Sequence, residues 1–496
     1  MFSRSAIPRA GAVRSDVMAS LVVFLVAVPL CVGVAVASGV PAELGLVTGI
    51  VGGLVAGLLP GSSLQVSGPA AGLTVLVYEA VDAHGLATLG VIVLASGVLQ
   101  LALGAARCGR WFRAISVAVV QGMLAGIGLL LILGQAYTLV DLAAPSGGLE
   151  KIGGIPRLAG ELVSAPSARS AFAVGAVTIA VLVWWKRVPG RLPRLLPAPL
   201  AAITLAIAAV AALGLPVATV DVQGLVESLQ PTGPDDLLRL ADIAVLGTVM
   251  AFTLIASAES LFSAAAVDRM HDGPRTEYDK ELMAQGAGNT VCGLLGALPM
   301  TAVIVRSAAN VQAGARTRLS RVLHGVWLLL FAALFPAALS VIPVAALAGV
   351  LIHAGAKLLP VKDFGPLWRE HRGEAVVLAV TATAIVATDM FEGVLLGLLM
   401  AVAKSAWETS AVHLDVDGTH AQSIRVRLTG NATFLRLPRI LDTLEALPTD
   451  RPIELDLSRL RHLDHACHTA LTSWARQHNN EGIESVRVKI PPTASA

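Results

Sequence analysis

Two ionisable side chains stand in sequence that is otherwise apolar. Arg306 follows Pro299-Met300-Thr301-Ala302-Val303-Ile304-Val305, and Glu259 lies mid-run in Thr253–Val267 among alanines and serines. Ser263 follows Glu259 by one helical turn and shares its face. Ionisable residues inside a lipid-spanning stretch are functional by default. Arg306 can hold an anion, and Glu259 can hold the proton or sodium ion that travels with it. An ionised Glu259 about 6–8 Å from a bound anion repels it by about 2–3 kcal/mol at an effective dielectric near 20, and a proton removes that repulsion. A structural ion pair between the two residues is the competing reading.

A pair of interrupted segments must position these groups. Gly61-Ser62-Ser63-Leu64-Gln65-Val66-Ser67-Gly68-Pro69 reads as extended and leads into a short apolar piece, 69–81. Gly296-Ala297-Leu298-Pro299-Met300-Thr301 leads into a second, 301–313. Proline suits the first turn of a helix and not its interior, so a helix is expected to begin near Pro69. A helix of about 12 residues covers about 18 Å, about half a bilayer, so both pieces should start at mid-membrane. Each start offers free N–H groups and about half a positive charge, a cradle for sulfate, bicarbonate or chloride. Arg306, one to two turns into the second piece, is the one basic residue expected at that depth.

The remaining sequence is suited to holding such breaks in lipid. Of 496 residues, 55% are hydrophobic and 14% charged, against about 25% charged in soluble domains. Mean hydropathy is +0.74. A net charge of +2 gives no field that would attract nucleic acid. Spanning runs are expected near 16–38, 43–59, 88–106, 112–134, 170–187, 195–213, 242–266, 281–298, 319–337, 341–357, 373–388 and 391–408; the two short pieces bring the total to fourteen. With the N-terminus inside, twenty Lys and Arg fall in inner loops. Four fall outside, namely Lys151, Arg157, Arg169 and Arg239. That is the bias the positive-inside rule requires. The expectation is an all-α, multi-pass protein of the cell inner membrane with both termini cytoplasmic and no cleavable leader.

Asp16 and Asp242 open the first span of each half, and Pro69 and Pro299 recur at nearly the same offset. Seven crossings per half invert the second repeat. The expected parts are an N-terminal arm, 1–15, a first repeat, 16–215, an inverted second repeat, 240–408, and a cytoplasmic module, 411–496. Paired interruptions in inverted repeats point to a transporter binding site. Gly49, Gly53, Gly57 and Gly61 form a small-residue ridge for helix packing. Pro29 is expected to kink the first span beside Leu30 and Cys31. Asp389 and Glu392 read as solvated acids of the last outer turn. The four cysteines, Cys31, Cys108, Cys292 and Cys467, show no metal-like spacing and read as small apolar residues.

After Lys404 the composition turns charged. Ile424–Leu428 and Ile453–Leu457 alternate as strands, while Leu437–Leu447 and Cys467–His478 read as amphipathic helices. A small α/β domain is expected there.

Three stretches resemble the sulfate-permease (SulP) family of anion transporters: GSSLQVSGPAAGLTVLV at 61–77, ASAESLFSAAAVDRM at 256–270 and LPMTAVIVRSAANVQAGARTRLS at 298–320. The resemblance covers about residues 12–410. It implies two inverted repeats of seven segments, divided into a core (1–4 and 8–11) and a gate (5–7 and 12–14), and a homodimer. It also implies an anion site between the third and tenth segments, at Gly68, Pro69, Ala70, Thr301, Ala302, Val303 and Arg306, with Glu259 as the coupling acid and Ser263 beside it. Sodium-coupled members tend to carry Asp at that position and small residues near Met300 and Ile304, so the resemblance favours protons here. A sodium-coupled bicarbonate transporter and a passive channel or exchanger are the alternatives. The tail resembles a STAS domain through Leu455-Asp456-Leu457-Ser458 and Leu463-Asp464-His465-Ala466. His465 and Ala466 stand where signalling relatives carry a phosphorylatable serine, and the domain is expected to be short of its last elements.

Other classes fit less well. No Ser/His pair or aspartate pair lies at depth for an intramembrane enzyme, and no H-E-x-x-H or phosphate-binding loop is present for zinc or ATP chemistry. No cofactor or metal is expected. A nucleobase permease would need carboxyl or amide groups in place of Arg306. A sensor acting through the tail remains as an alternative to transport.

Overall fold

The computed structural model describes residues 10–110, 116–145, 147–189, 196–222, 224–418, 423–448, 452–481 and 486–489. Arg4, Arg9, Arg113, Arg191 and Arg194, counted among the inner charges, lie outside the described residues, as does most of the 1–15 arm. The chain forms two compact units, Met1–Leu398 and Leu399–Ala496.

In the first unit each expected segment is helical. The helices of the first half are α1 (Ala10–Ala37), α2 (Ala42–Val51), α3 (Thr74–His84), α4 (Leu86–Ala105) and α5 (Val117–Thr138), then two short helices, α6 (Gly148–Gly153) and α7 (Ile155–Ser164), then α8 (Pro166–Trp184) and α9 (Ala198–Leu213). The second half has α10 (Ile243–Val267), α11 (Tyr278–Leu294), α12 (Ile304–Gln312), α13 (Leu319–Leu334), α14 (Val344–Leu358), α15 (Val361–Glu370) and α16 (Arg372–Ala387). The last helix, α17, runs from Met390 to Thr409. Local chemistry sets several ends. Asp242 caps α10 by accepting from the Ala244 N–H at 2.8 Å. Pro166 opens α8, and Gly214, in the left-handed conformation, closes α9. The apolar side chains Leu246, Met250, Leu254, Leu329, Leu330 and Leu334 are exposed, as lipid-facing surfaces require.

The packing repeats with the halves. α1 packs on α13 and α10 on α4; α4 packs on α11 and α13 on α2; α5 packs on α16 and α14 on α8. Exchanging the halves segment for segment converts each contact into its partner. The first two pairs of contacts fall within the expected core, the last within the expected gate.

Three expectations need correction. Pro69 does not start a helix. Ser67–Pro69 is a strand, β1, followed by a single 3-10 turn at Ala71–Leu73 before α3. Likewise Met300–Ala302 is a strand, β2, and α12 begins at Ile304. Proline's fixed φ and missing N–H suit an extended edge as well as a helix start, and the available strand partner decides. Asp16 does not open α1, which begins at Ala10. It is buried and accepts from the Arg316 N–H at 2.7 Å and the Thr317 N–H at 3.1 Å, tying α1 to the loop before α13. Arg306 is not alone among buried basic residues: Arg321 and His324 on α13 are buried as well.

The second unit holds a four-stranded sheet in the order β3 (Val412–Asp417), β4 (Ile424–Ala432), β5 (Ile453–Leu463), β6 (Val486–Lys489). β3 and β4 are antiparallel, and the other two pairings are parallel. α18 (Leu437–Glu445) and α19 (His465–Glu481) connect these strands. Its core is Val426, Leu428, Ile440, Leu455, Cys467 and Leu471 with their neighbours. All four cysteines are free thiols.

Candidate functional site

The two breaks meet. β1 and β2 pair antiparallel in the register Ser67↔Ala302, Gly68↔Thr301, Pro69↔Met300, and the Val303 N–H donates to Val66 O at 2.9 Å. The starts of α3 and α12 are thereby held side by side. Extended backbone inside a bilayer must find all its hydrogen bonds within the protein. Neighbouring helices supply them through side chains. Asn289 on α11 accepts from the Met300 N–H at 2.7 Å and donates to Met300 O at 3.1 Å. Ser260 accepts from the Ala302 N–H at 3.2 Å. Ser307 accepts from the Val66 N–H at 2.9 Å, and Asn310 donates to Leu64 O at 2.9 Å. Gln285 donates to both Ser67 Oγ and Glu281 Oε1 at 2.7 Å, and Glu281 Oε2 accepts from the Ser62 N–H. Arg321 Nη2 donates to Leu59 O at 2.9 Å. Close approach also shapes the break. After Val51, α2 continues as a π turn over Gly52–Ala56, and a Cβ on Gly52 would stand 2.5 Å from Ser67 O. Gly53 of the expected ridge faces Gly325 of α13, as helix packing requires.

Arg306 lies behind this ladder. It is fully buried, and its Nη2 donates to Pro69 O at 3.2 Å, across from one half to the other. Nε and Nη1 have no partner. Gly68 lets the guanidinium in, since a Cβ there would lie 2.2 Å from Nη1. Cys31 and His324 are close enough to feel its charge.

Glu259 lies at a cavity of about 70 Å³. Ala71 and Gly72 at the approach to α3, Val303 and Ile304 at the start of α12, and Glu259 with Ser263 line it. Val120, Met123, Ala354 and Leu358 complete its wall from the gate. A Cβ on Gly72 would sit 2.7 Å from Glu259 Oε1, so the carboxyl rests on the turn that leads into α3. Glu259 Oε2 has no hydrogen-bond partner. Among the described residues no ion pair joins Glu259 to Arg306. The cavity has room for a small hydrated ion and not for a large organic solute.

Of the residues marked in the sequence, Glu259, Ser263 and Val303 reach the cavity. Gly68, Pro69, Ala70, Thr301 and Ala302 are buried in or beside the ladder that shapes it, and Arg306 supplies charge from behind. Thr301 Oγ1 is buried without a partner. Leu30 and Cys31 are buried and do not line the cavity. The sequence does not single out Gly72 and Ile304 as lining residues, Asn289 as the partner of the Met300 backbone, or Gln285 as the link between Ser67 and Glu281. Amides in an apolar span were the available signal for the last two. Among the described residues no His/Cys/Asp/Glu group could hold a metal ion.

Comparison with known proteins follows the same division. Residues 13–381 match the Sulfate permease family, and residues 416–494 match the Mlab, STAS domain family. The bicarbonate transporter BicA of Picosynechococcus is 28% identical over 414 residues, covering 78% of this chain and 69% of its own. The transmembrane domain of a cyanobacterium bicarbonate transporter BicA superposes with a TM-score of 0.66 at 22% identity, over 80% of this chain and 98% of that one. Murine Slc26a9, an anion transporter in its inward-facing state, superposes with a TM-score of 0.77 at 14% identity, over 97% of this chain and 86% of its own. With its membrane unit matched almost end to end, and with the paired interrupted segments that the resemblance called for, the chain belongs to the sulfate permease family.

Proposed function

We propose that the protein is a secondary active transporter of a small inorganic anion of the sulfate or bicarbonate class, coupled to protons. The observation that carries this reading is the cavity shared by Glu259, Ser263 and the two helix starts. The N-terminal ends of α3 and α12 attract negative charge, and the Arg306 guanidinium behind them adds a full positive charge in a medium of low dielectric. Glu259 is the opposing term. When ionised it repels the anion; when protonated it does not. Anion and proton then favour each other's binding by the same factor, which is symport by linkage. The family match and the named relative support sulfate and bicarbonate as the candidates.

A sodium-coupled bicarbonate transporter is the second reading. Ile304 lines the cavity and offers a sodium ion no oxygen. Met300 is fully buried and packs toward Gly288, away from the cavity, so only Ile304 bears on the choice. The positive-inside bias supports cytoplasmic termini and a cell inner membrane location, where we expect a homodimer; light scattering in detergent checks the assembly.

Reconstituted protein supplied with labelled sulfate and bicarbonate, under separately imposed proton and sodium gradients, tests the proposal. Uptake should rise as the outer pH falls and should be concentrative. Glu259→Gln should still bind anion and should lose its response to the proton gradient. Uptake that ignores pH and requires sodium would transfer Glu259 to the second reading. Uptake that never exceeds equilibrium would favour a channel.

A further inference from the structure

A second cavity, of about 180 Å³, lies between α1 and α3 on one side and α5, the loop after it and Lys151 of α6 on the other. Its wall from the core includes Thr74 and Tyr78. Its wall from the gate includes Gln135, Thr138 and Lys151. Thr74 is the first residue of α3, so this cavity touches the helix whose approach, Ala71 and Gly72, lines the Glu259 cavity, and its lining residues Ala37, Thr138 and Lys151 lie at or beyond the ends of segments that the loop charges assign to the outside. Three of its polar residues are sheltered from solvent: Thr74 is 3% exposed, Lys151 4% and Gln135 6%. Thr74 Oγ1 has no hydrogen-bond partner.

Lys151 is held in place rather than trailing from a loop. The buried Tyr137 hydroxyl donates to Lys151 O at 2.7 Å, and Gly148 lets α6 close against the Val386 carbonyl. The acids that face Lys151 are Glu79 on α3 and Glu150 on α6; Asp389, before α17, faces Glu79 in turn. Lys151 is also one of only four basic residues in the loops assigned to the outside. Burying a lysine is costly unless its charge is compensated, and the positive-inside bias disfavours it on this face.

We propose that this cavity is a second anion site. Here Lys151, the Thr74 hydroxyl and the Gln135 amide hold a small inorganic anion on the outer side before it passes to the Glu259 cavity. The inference rests on the transport reading above for the anion's identity. Glu79 gives Lys151 a partner when the cavity is empty, and so keeps the site weak. A waiting site must bind well enough to capture an ion and loosely enough to release it onward.

The test reads binding without needing transport. Thr138→Cys places a thiol on the cavity wall. Among the native cysteines, Cys31, Cys292 and Cys467 are buried, and Cys108, just after α4, does not line the cavity. In intact cells a membrane-impermeant thiol reagent should label Thr138→Cys, and sulfate or bicarbonate should slow that labelling several-fold. Adding Lys151→Met should remove the protection, and Lys151→Arg should keep it. Labelling that neither anion slows, or protection that survives Lys151→Met, overturns the proposal. Protection without labelled-anion uptake by the wild type would leave this site standing and remove the transport reading. Uptake is then compared at low outer anion concentration. If Lys151 serves only to neutralise Glu79, combining Lys151→Met with Glu79→Gln restores the rate. A site for anion predicts that the double variant stays slow.

Discussion

At the scale of single residues, the positive charge touches the two-stranded ladder and does not line the cavity. Arg306 acts through the backbone it touches, donating to Pro69 O while two of its nitrogens remain without partners. Arg306→Ala should abolish uptake in a protein that still inserts, because it removes both the charge and the link across the halves. Ordinary uptake by an inserted Arg306→Ala would refute the site. Gly72 supports a sharper expectation. A methyl there would meet Glu259 Oε1 at 2.7 Å and must displace the carboxyl. Gly72→Ala should therefore shift the pH profile of uptake, while the neighbouring Ala71→Gly should not; matched profiles would count against the contact. Arg306 and Glu259 were legible in the sequence because each is an ionisable residue in an apolar run. Gly72 was not, since its role comes from a helix 187 positions away.

At the scale of elements, the breaks were legible and their conformation was not. Gly61–Pro69 and Gly296–Thr301 announce interruption, but nothing local distinguishes a helix start at Pro69 from a strand that pairs with Met300. That choice belongs to long-range pairing. In the same way β3 and β6 of the second unit are short and went unread, whereas β4 and β5 carried clear alternation. Asp464 illustrates what the tail's motif does locally. It caps α19, accepting from the Cys467 N–H at 2.7 Å and from the Phe434 N–H at 2.6 Å. Burial, the largest single influence, would push its carboxyl up; the Cys467 and Phe434 backbone donors, the Cys467 side chain and His462 together hold it below the usual range. A depressed folded-state value means stability that is present above about pH 4 and lost as pH falls through the folded value. Asp464→Ala should cost about 1 kcal/mol at neutral pH. Faster hydrogen exchange at the first turn of α19 in the full chain would register it, with the difference from wild type shrinking in acid. Unchanged exchange would mean the cap contributes nothing.

At the scale of the molecule, composition alone announced a membrane protein, and the loop charges supported fourteen segments. The contacts of α1–α13 with α10–α4 and of α4–α11 with α13–α2 then display the repeat relation that sequence offsets only suggested. The Asp16 and Asp242 offset was the weaker of the two clues, because Asp16 sits inside its helix and serves a distant loop. The described residues that line the cavity all belong to the first unit. Removing residues after about 411 should change activity, stability or assembly and leave the preference between sulfate and bicarbonate unchanged. A reversed preference in competition uptake would contradict that division of labour.

The ladder between β1 and β2 has a further consequence. Its hydrogen bonds join stretches more than two hundred residues apart, and Arg306 bolts the joint from behind. The two helix ends therefore cannot separate or slide independently while the ladder is intact. Whatever motion exposes the ion to one compartment or the other must carry both ends as a single block, with the gap between them unchanged. An anion would then meet the same calliper on either face of the membrane, and the ranking of competing anions by size should be the same whether they are offered from inside or from outside.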